Sequence, residues 1–319
     1  MKILACDNLP EIFFSEISQH LPEVEIENFG SFSEEELLPK VKNLDAIVVR
    51  SGTKITPAVI LAAENLKVIG RAGVGVNNID LQTAGENGIP VVNAPTGNLI
   101  SVVELVFGMI ISLARKIPEA NSSMQLGQWE KKKFRGLELS GKKLGIIGFG
   151  NIGKLLAKRA TVFEMEVLSF DPFLKSEEMN KFGVKKVEIL DIASQCDFIS
   201  VHVPLLPETK NLIGRDFLEK MKKSSFLINA ARGGIVNEEV LIEFLKDKKI
   251  SGAGIDTFND EPKICSEFLK LENVILTPHI GGNTKDAGEK IGKQIAEQII
   301  KVLQNKTADF VVNSRFLKN

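Results

Sequence analysis

Short apolar runs alternate with longer stretches of helical period along the first third of this chain. Residues 2–6, 24–27, 46–49, 68–70 and 90–93 read as short buried strands. Between them, 10–20, 34–42 and 57–65 carry apolar residues at the three- and four-residue spacing of helices. Strands that alternate with helices predict a parallel, doubly wound sheet. The same alternation resumes near residue 140: an apolar run at 143–147, a helical stretch at 154–163, and a second apolar run that ends at Asp171. Two long helices complete the pattern. Residues 98–116 are apolar around most of the circumference, as expected of a helix buried between layers. Residues 284–304 place Ile291, Ile295, Gln298, Ile299 and Val302 along one stripe. If this last helix returns to the first sheet, the first domain is discontinuous.

The junction of the second strand-like run with its helix carries the sharpest chemical signal. Gly148-Phe149-Gly150-Asn151-Ile152-Gly153 follows the apolar run, opens the helix and precedes the acid Asp171. Strand, tight turn, helix, strand, acid is the arrangement that binds a dinucleotide. The glycines permit the turn and a close backbone approach, so the helix N-terminus faces a pyrophosphate. A structural glycine turn would explain the spacing alone, but not the strand, helix and acid that accompany it.

Composition narrows the classes. At 319 residues the chain suits two domains, each with its own core. Hydrophobic content of 44% and a formal charge of −1 describe a neutral soluble globule, with nothing that points to nucleic acid or a membrane surface. The N-terminal apolar run is too short for a signal peptide and the apolar stretch at 101–114 too short to span a bilayer. Cys6, Cys196 and Cys265 form neither a metal pattern nor an even disulfide set, so a reducing cytoplasm fits and no metal is expected. Tyrosine is absent, so proton transfer falls to another group.

Three histidines exist. His20, at a helix end, reads as a solvated residue. His202 ends a strand and reads as a packing or cofactor-contact residue. His279 lies just past the strand-like run 273–278, in the glycine-lined turn Ile280-Gly281-Gly282; taken singly, it reads equally as a histidine that satisfies loop carbonyls. Two more strand-end loops change that balance. The run 225–229 leads to Arg232, and 249–255 leads through Asp256 to Glu261-Pro262. An arginine, a glutamate and a histidine thus follow three successive strands of one parallel sheet, on the edge that holds the Gly148 turn. Hydride transfer between a nicotinamide and a 2-oxo acid needs these groups. Imidazole shuttles the proton, a carboxylate holds its tautomer, and a guanidinium fork grips the substrate carboxylate.

These residues together resemble the D-2-hydroxyacid dehydrogenase family. The match runs in order through Gly148–Gly153 with Asp171, His202-Val203-Pro204-Leu205 with Thr209, Asn229-Ala230-Ala231-Arg232-Gly233, Asp256 to Glu261-Pro262, and Thr277-Pro278-His279-Ile280-Gly281-Gly282. The resemblance implies that Arg232, Glu261 and His279 are catalytic. It implies that Gly148, Gly150, Asn151, Ile152, Gly153, Asp171, Pro172, His202, Pro204, Thr209, Ala230, Asp256 and Gly281 contact the cofactor. That cofactor is NAD, since Asp171 would repel a 2′-phosphate. The implied fold is α/β: two doubly wound parallel-sheet domains, with a Rossmann nucleotide domain (98–284) inserted into a discontinuous flavodoxin-like substrate domain (1–97 and 285–319).

The first half is similar to the branch of the family that oxidises D-3-phosphoglycerate. The matching stretches are 48–54, 70–80, 93–98 and 127–136, with Asn77 where relatives often carry aspartate. The resemblance implies substrate-binding roles for Arg50, Ser51, Gly52, Arg71, Gly73, Asn98 and Arg135. The two arginines and the backbone N–H groups of Ser51, Gly52 and Gly73 would meet a substrate that carries both carboxylate and phosphate. The arm at 127–136, with Trp129, would reach a partner subunit, which implies a homodimer through the nucleotide domain. Because the sequence ends at Asn319, the serine-binding regulatory domains of larger relatives are not expected. The alternatives are a hydroxypyruvate or glyoxylate reductase of the same family, and an NAD-binding corepressor-like regulator. Formate dehydrogenase chemistry would need a neutral amide at Glu261.

Overall fold

The computed structural model describes residues 1–317; the last two residues of the expected 285–319 segment, Lys318 and Asn319, lie outside the described residues. The chain forms two compact units, one of Met1–Asn98 with the chain from Asn283 onward and one of Leu99–Gly282.

The first unit is built on strands β1 (Lys2–Ala5), β2 (Glu25–Asn28), β3 (Ala46–Val49), β4 (Val68–Arg71) and β5 (Val91–Asn93), all parallel, in the order β2-β1-β3-β4-β5. That is the flavodoxin-like order of a doubly wound sheet. The apolar runs of β1, β3, β4 and β5 are buried on both faces, as parallel sheets require. Alternation along the strands sends Ile3, Ala5 and Val48 to one core and Leu4, Cys6 and Ile47 to the other. The first core is closed by helix Glu11–His20, through Phe13 and Ile17, and by the return helix Lys285–Leu303, through Ile291, Ile295 and Ile299.

Three expectations need correction. Strand β2 is not buried: it is an edge strand whose Glu25 and Asn28 face solvent, where charge also discourages further strand pairing. The helix expected over 34–42 is α only at Glu34–Leu37, capped by Ser33, and tightens to a 3₁₀ turn at Leu38–Lys40. Pro39 lacks the N–H that would extend the α ladder. The helix expected over 98–116 runs Leu99–Arg115 and is not buried all round, because Ile100, Glu104 and Gly108 leave an exposed stripe one turn apart.

The second unit carries β6 (Lys143–Ile147), β7 (Glu166–Phe170), β8 (Lys185–Lys186), β9 (Phe198–Val201), β10 (Phe226–Asn229), β11 (Gly252–Ile255) and β12 (Val274–Leu276) in one parallel sheet, ordered β12-β11-β10-β9-β6-β7-β8. The chain builds outward from β6 through β7 and β8, then crosses back to lay β9 against the other side of β6. Strand order therefore reverses between β6 and β9, which is where doubly wound sheets bind ligands at their carboxyl edge. Strand β8, of two residues, and the short helices Ile189–Gln195 and Arg215–Lys220 leave too few residues for a periodic signal. Cys6 and Cys196 are wholly buried, and burial pushes both thiols up to about 12. No helix among the described residues is long and apolar enough to cross a membrane.

Candidate active site

The turn after β6 shows what each glycine does. Gly148 sits at φ 96, and a Cβ there would lie 2.6 Å from the carbonyl of His202 on the neighbouring loop. A Cβ on Gly153 would meet the Gly148 carbonyl at 2.4 Å. Both glycines are demanded by the protein's own backbone. Gly150 differs: no atom of the described residues lies within 4 Å of its added Cβ, so none of them requires a bare position. It caps helix Asn151–Val162, whose first-turn N–H groups have no intrahelical acceptor. An open, Cβ-free approach to unpaired N–H donors at a helix start fits a dinucleotide's pyrophosphate. Asn151 and Ile152 occupy the first turn, and Asp171, just past β7, accepts the N–H of Phe149 at 2.9 Å and of Phe173 at 2.9 Å. The acid thus ties the glycine turn to the β7 loop, with the exposed Pro172 between.

The neighbouring loops supply the rest. His202 Nε2 and Ser200 Oγ are 2.8 Å apart, two residues along the same strand face, while Nδ1 is buried with no hydrogen-bond partner among the described residues. Burial pushes this imidazole down to about 4, so it is neutral near pH 7. Pro204 is exposed; its carbonyl accepts the Thr209 hydroxyl at 2.6 Å, and that hydroxyl accepts the Leu206 N–H at 2.8 Å. The Thr209 hydroxyl therefore braces its own loop. Ala230 is buried at the end of β10. Asp256, expected as a cofactor contact, is wholly buried and serves as a brace. Its carboxylate accepts the Thr277 hydroxyl at 2.6 Å, the Ile280 N–H at 2.8 Å and the Gly281 N–H at 2.8 Å. Its carbonyl accepts the His279 N–H at 2.9 Å. The Gly281 N–H is thereby committed inside the protein.

This brace presents His279 at φ 51, past the end of β12. His279 Nδ1 stands 2.7 Å from Glu261 Oε2. An ionised carboxylate only accepts, so Nδ1 donates, and Nε2 is left to exchange a proton. The other Glu261 oxygen accepts the Phe258 N–H at 3.0 Å, which holds the carboxylate in place. Arg232, on the loop after β10, donates from Nη1 to Ala231 O at 2.6 Å. Burial lowers its affinity for the proton and the nearby Glu261 carboxylate raises it again. Strands β10, β11 and β12 are adjacent and parallel, so the arginine, glutamate and histidine follow three neighbouring strand ends.

Sequence reasoning missed several supports. Asn229 locks the Arg232 loop, donating to Arg232 O at 3.0 Å and accepting the Ala231 N–H at 3.1 Å. Glu238 accepts the Asn259 N–H at 2.7 Å, and burial raises its carboxyl. The Ser200 contact was legible in the two-residue period of β9; the Glu238 contact, 21 residues distant, left no local trace.

The expected substrate residues divide between the units. Arg135 belongs to the second unit, exposed in the wall of a cavity of about 1240 Å³ that Trp129 and Met124 also line. The other six belong to the first. Arg50, Ser51 and Gly52 are exposed just past β3, and Arg71 ends β4, donating from Nη1 to Ala72 O at 3.0 Å. The Gly73 N–H is not available as expected, since it donates to Arg71 O at 2.8 Å. Asn98 has a buried Oδ1 with no hydrogen-bond partner among the described residues.

The chain is 47% identical over 314 residues to the D-3-phosphoglycerate dehydrogenase of Methanocaldococcus jannaschii, an alignment that covers 98% of this chain and 59% of that one. It therefore spans little more than half the length of such relatives. Among solved structures, a Thermus thermophilus protein superposes with a TM-score of 0.90 at 29% identity, over 98% of this chain and all of that one. The D-lactate dehydrogenase of Aquifex aeolicus, complexed with NAD and lactic acid, superposes with a TM-score of 0.83 at 27% identity, over 95% of this chain and 96% of that one. Residues 107–281, which hold the glycine turn and the Arg232, Glu261 and His279 loops, match the NAD-binding domain of the D-isomer-specific 2-hydroxyacid dehydrogenases, and the chain belongs to that family.

Proposed function

We propose that the protein oxidises D-3-phosphoglycerate to 3-phosphohydroxypyruvate with NAD, the entry to serine synthesis. The observation that carries the chemistry is the 2.7 Å contact of His279 with Glu261, beside the half-buried Arg232. His279 Nε2 takes the proton of the substrate's 2-hydroxyl, and the Glu261 carboxylate stabilises the imidazolium that results. Arg232 pairs with the substrate carboxylate, a planar fork on a planar anion. Its partial burial strengthens that pairing. Bound NAD supplies the hydride acceptor.

The substrate assignment rests on the relatives' names and on the cations outside the catalytic set. Arg50 and Arg71 supply the charge that a second anionic group on the substrate requires, and Asn98 and Arg135 are assigned to the substrate with them. The exposed Trp129 and the arm around it form the contact of a homodimer, in a cytoplasmic enzyme. Sedimentation that finds a monomer at micromolar concentration overturns the dimer. The test of function is NADH consumption with 3-phosphohydroxypyruvate beside hydroxypyruvate. A strong preference for the phosphorylated acid is expected and is lost in Arg50→Ala or Arg71→Ala. Equal or better turnover of hydroxypyruvate would move the enzyme to the reductase branch of the family.

A further inference from the structure

In the first unit, the loop after β3, residues 50–53, is gripped from two sides by residues distant in sequence. Asp7 lies past β1 at φ 65 and is only 9% exposed. Its Oδ2 accepts the N–H of Arg50 at 2.7 Å and of Thr53 at 3.1 Å, and its Oδ1 accepts the Thr53 hydroxyl at 2.7 Å. Asn78 serves the carbonyl side: its Nδ2 donates to Arg50 O at 2.8 Å and to Thr53 O at 2.6 Å. The first and last residues of the loop are thus pinned through both their donors and their acceptors. The two N–H groups between, of Ser51 and Gly52, donate to no protein acceptor among the described residues, and both residues are exposed. A Cβ on Gly52 would stand 2.8 Å from Asp7 Oδ1 and 2.3 Å from Ser31 Oγ, so a side chain there would press on the Asp7 carboxylate and displace the Ser31 hydroxyl.

We propose that Asp7 and Asn78 are positioning residues that shape loop 50–53 to receive the substrate's anionic group. This rests on the reading that the loop binds substrate. A carboxylate close beneath an anion site repels it. Asp7 therefore acts by where its acceptors sit rather than by its charge, which three donors already engage. An isosteric amide meets the same need: its oxygen accepts the two N–H groups, and the Thr53 hydroxyl rotates to accept from the new NH₂. Asparagine also tolerates the left-handed backbone at this position.

The experiment is steady-state kinetics with NADH, using the 2-oxo acid that the wild type reduces best among 3-phosphohydroxypyruvate, hydroxypyruvate and other small 2-oxo acids. Asp7→Gly removes every acceptor without the strain an alanine would bring at φ 65. It is expected to raise KM about tenfold or more while kcat stays within about threefold and the NADH Kd is unchanged. Asn78→Ala raises KM in the same direction, and Asp7→Asn restores KM to within about threefold of wild type. Should Asp7→Gly fail to fold, Asn78→Ala and Asp7→Asn decide the question. The proposal is overturned if KM is unmoved in folded Asp7→Gly and Asn78→Ala, if Asp7→Asn is as impaired as Asp7→Gly, or if kcat and NADH binding fall as KM rises. A wild type that prefers an unphosphorylated acid sinks the phosphoglycerate reading alone, since the KM ratios still test the clamp. A wild type inert towards every 2-oxo acid overturns both.

Discussion

A proton shuttle needs one imidazole nitrogen committed and the other free, and Glu261 commits Nδ1 of His279. Replacing that ring by an amide in His279→Gln removes the shuttle and little else. Turnover is expected to fall roughly 10²- to 10⁴-fold, with NADH affinity, read by fluorescence titration, close to wild type. His202 has the opposite task, to remain neutral. Burial depresses it to about 4 from an ordinary value of 6.5, so the unfolded chain binds a proton that the folded chain refuses. Stability is therefore lost as pH falls from about 6.5 towards 4, and by pH 5 the loss from this one group is about 2 kcal/mol. Urea unfolding at pH 7 and pH 5 should show the wild type losing about that much more than His202→Gln. An equal loss in both would mean the ring takes its proton in the folded state. The sequence exposed both positions past strand ends and offered Glu261 as the carboxylate for His279, but it did not offer Ser200 as the partner of His202. Ser200 lies two residues from His202, whereas Glu261 lies 18 from His279 and reaches it because β11 and β12 are neighbours.

At the scale of one element, the strand, turn and helix around Gly148–Gly153 separate glycines that look alike in sequence. Gly153→Ala drives a methyl into the Gly148 carbonyl, a backbone atom with no room to move. Overpacking of this kind destabilises by about 1–3 kcal/mol, which a thermal melt resolves. Gly150→Ala meets no protein atom, and its φ of −74 suits alanine. Its melting temperature should match wild type while the NADH Kd rises about tenfold or more, because the methyl occupies the approach to the helix N–H groups. A Gly150→Ala protein with unchanged NADH affinity would show that the cofactor does not approach there. The fingerprint was fully legible in the sequence; the different reasons for its glycines were not, since the atoms that crowd Gly148 come from the loop after β9.

At the scale of the whole molecule, the chain that leaves the first unit at Asn98 comes back to it at Asn283 and must be fastened there. Beyond the return helix, Asn313 is wholly buried and accepts the Val91 N–H at 2.8 Å while donating to Ile89 O at 2.9 Å. Asn313→Ala strands two buried backbone groups, each worth about 1–3 kcal/mol, so urea unfolding of the first unit should shift by about 2–6 kcal/mol. A shift below about 1 kcal/mol would mean that water reaches those groups. By itself the sequence determined the alternation of strands and helices, the glycine turn, and the placement of Arg232, Glu261 and His279 past strand ends. Each of these is written locally, as a period, a turn chemistry or a position relative to a neighbouring run. Only the tertiary structure decided that β2 is an exposed edge, that Asp256 is a brace inside the protein, and that Asp7 grips a loop more than 40 residues away. Burial and long-range hydrogen bonds depend on which segments the folded sheet brings side by side, and no local pattern records that.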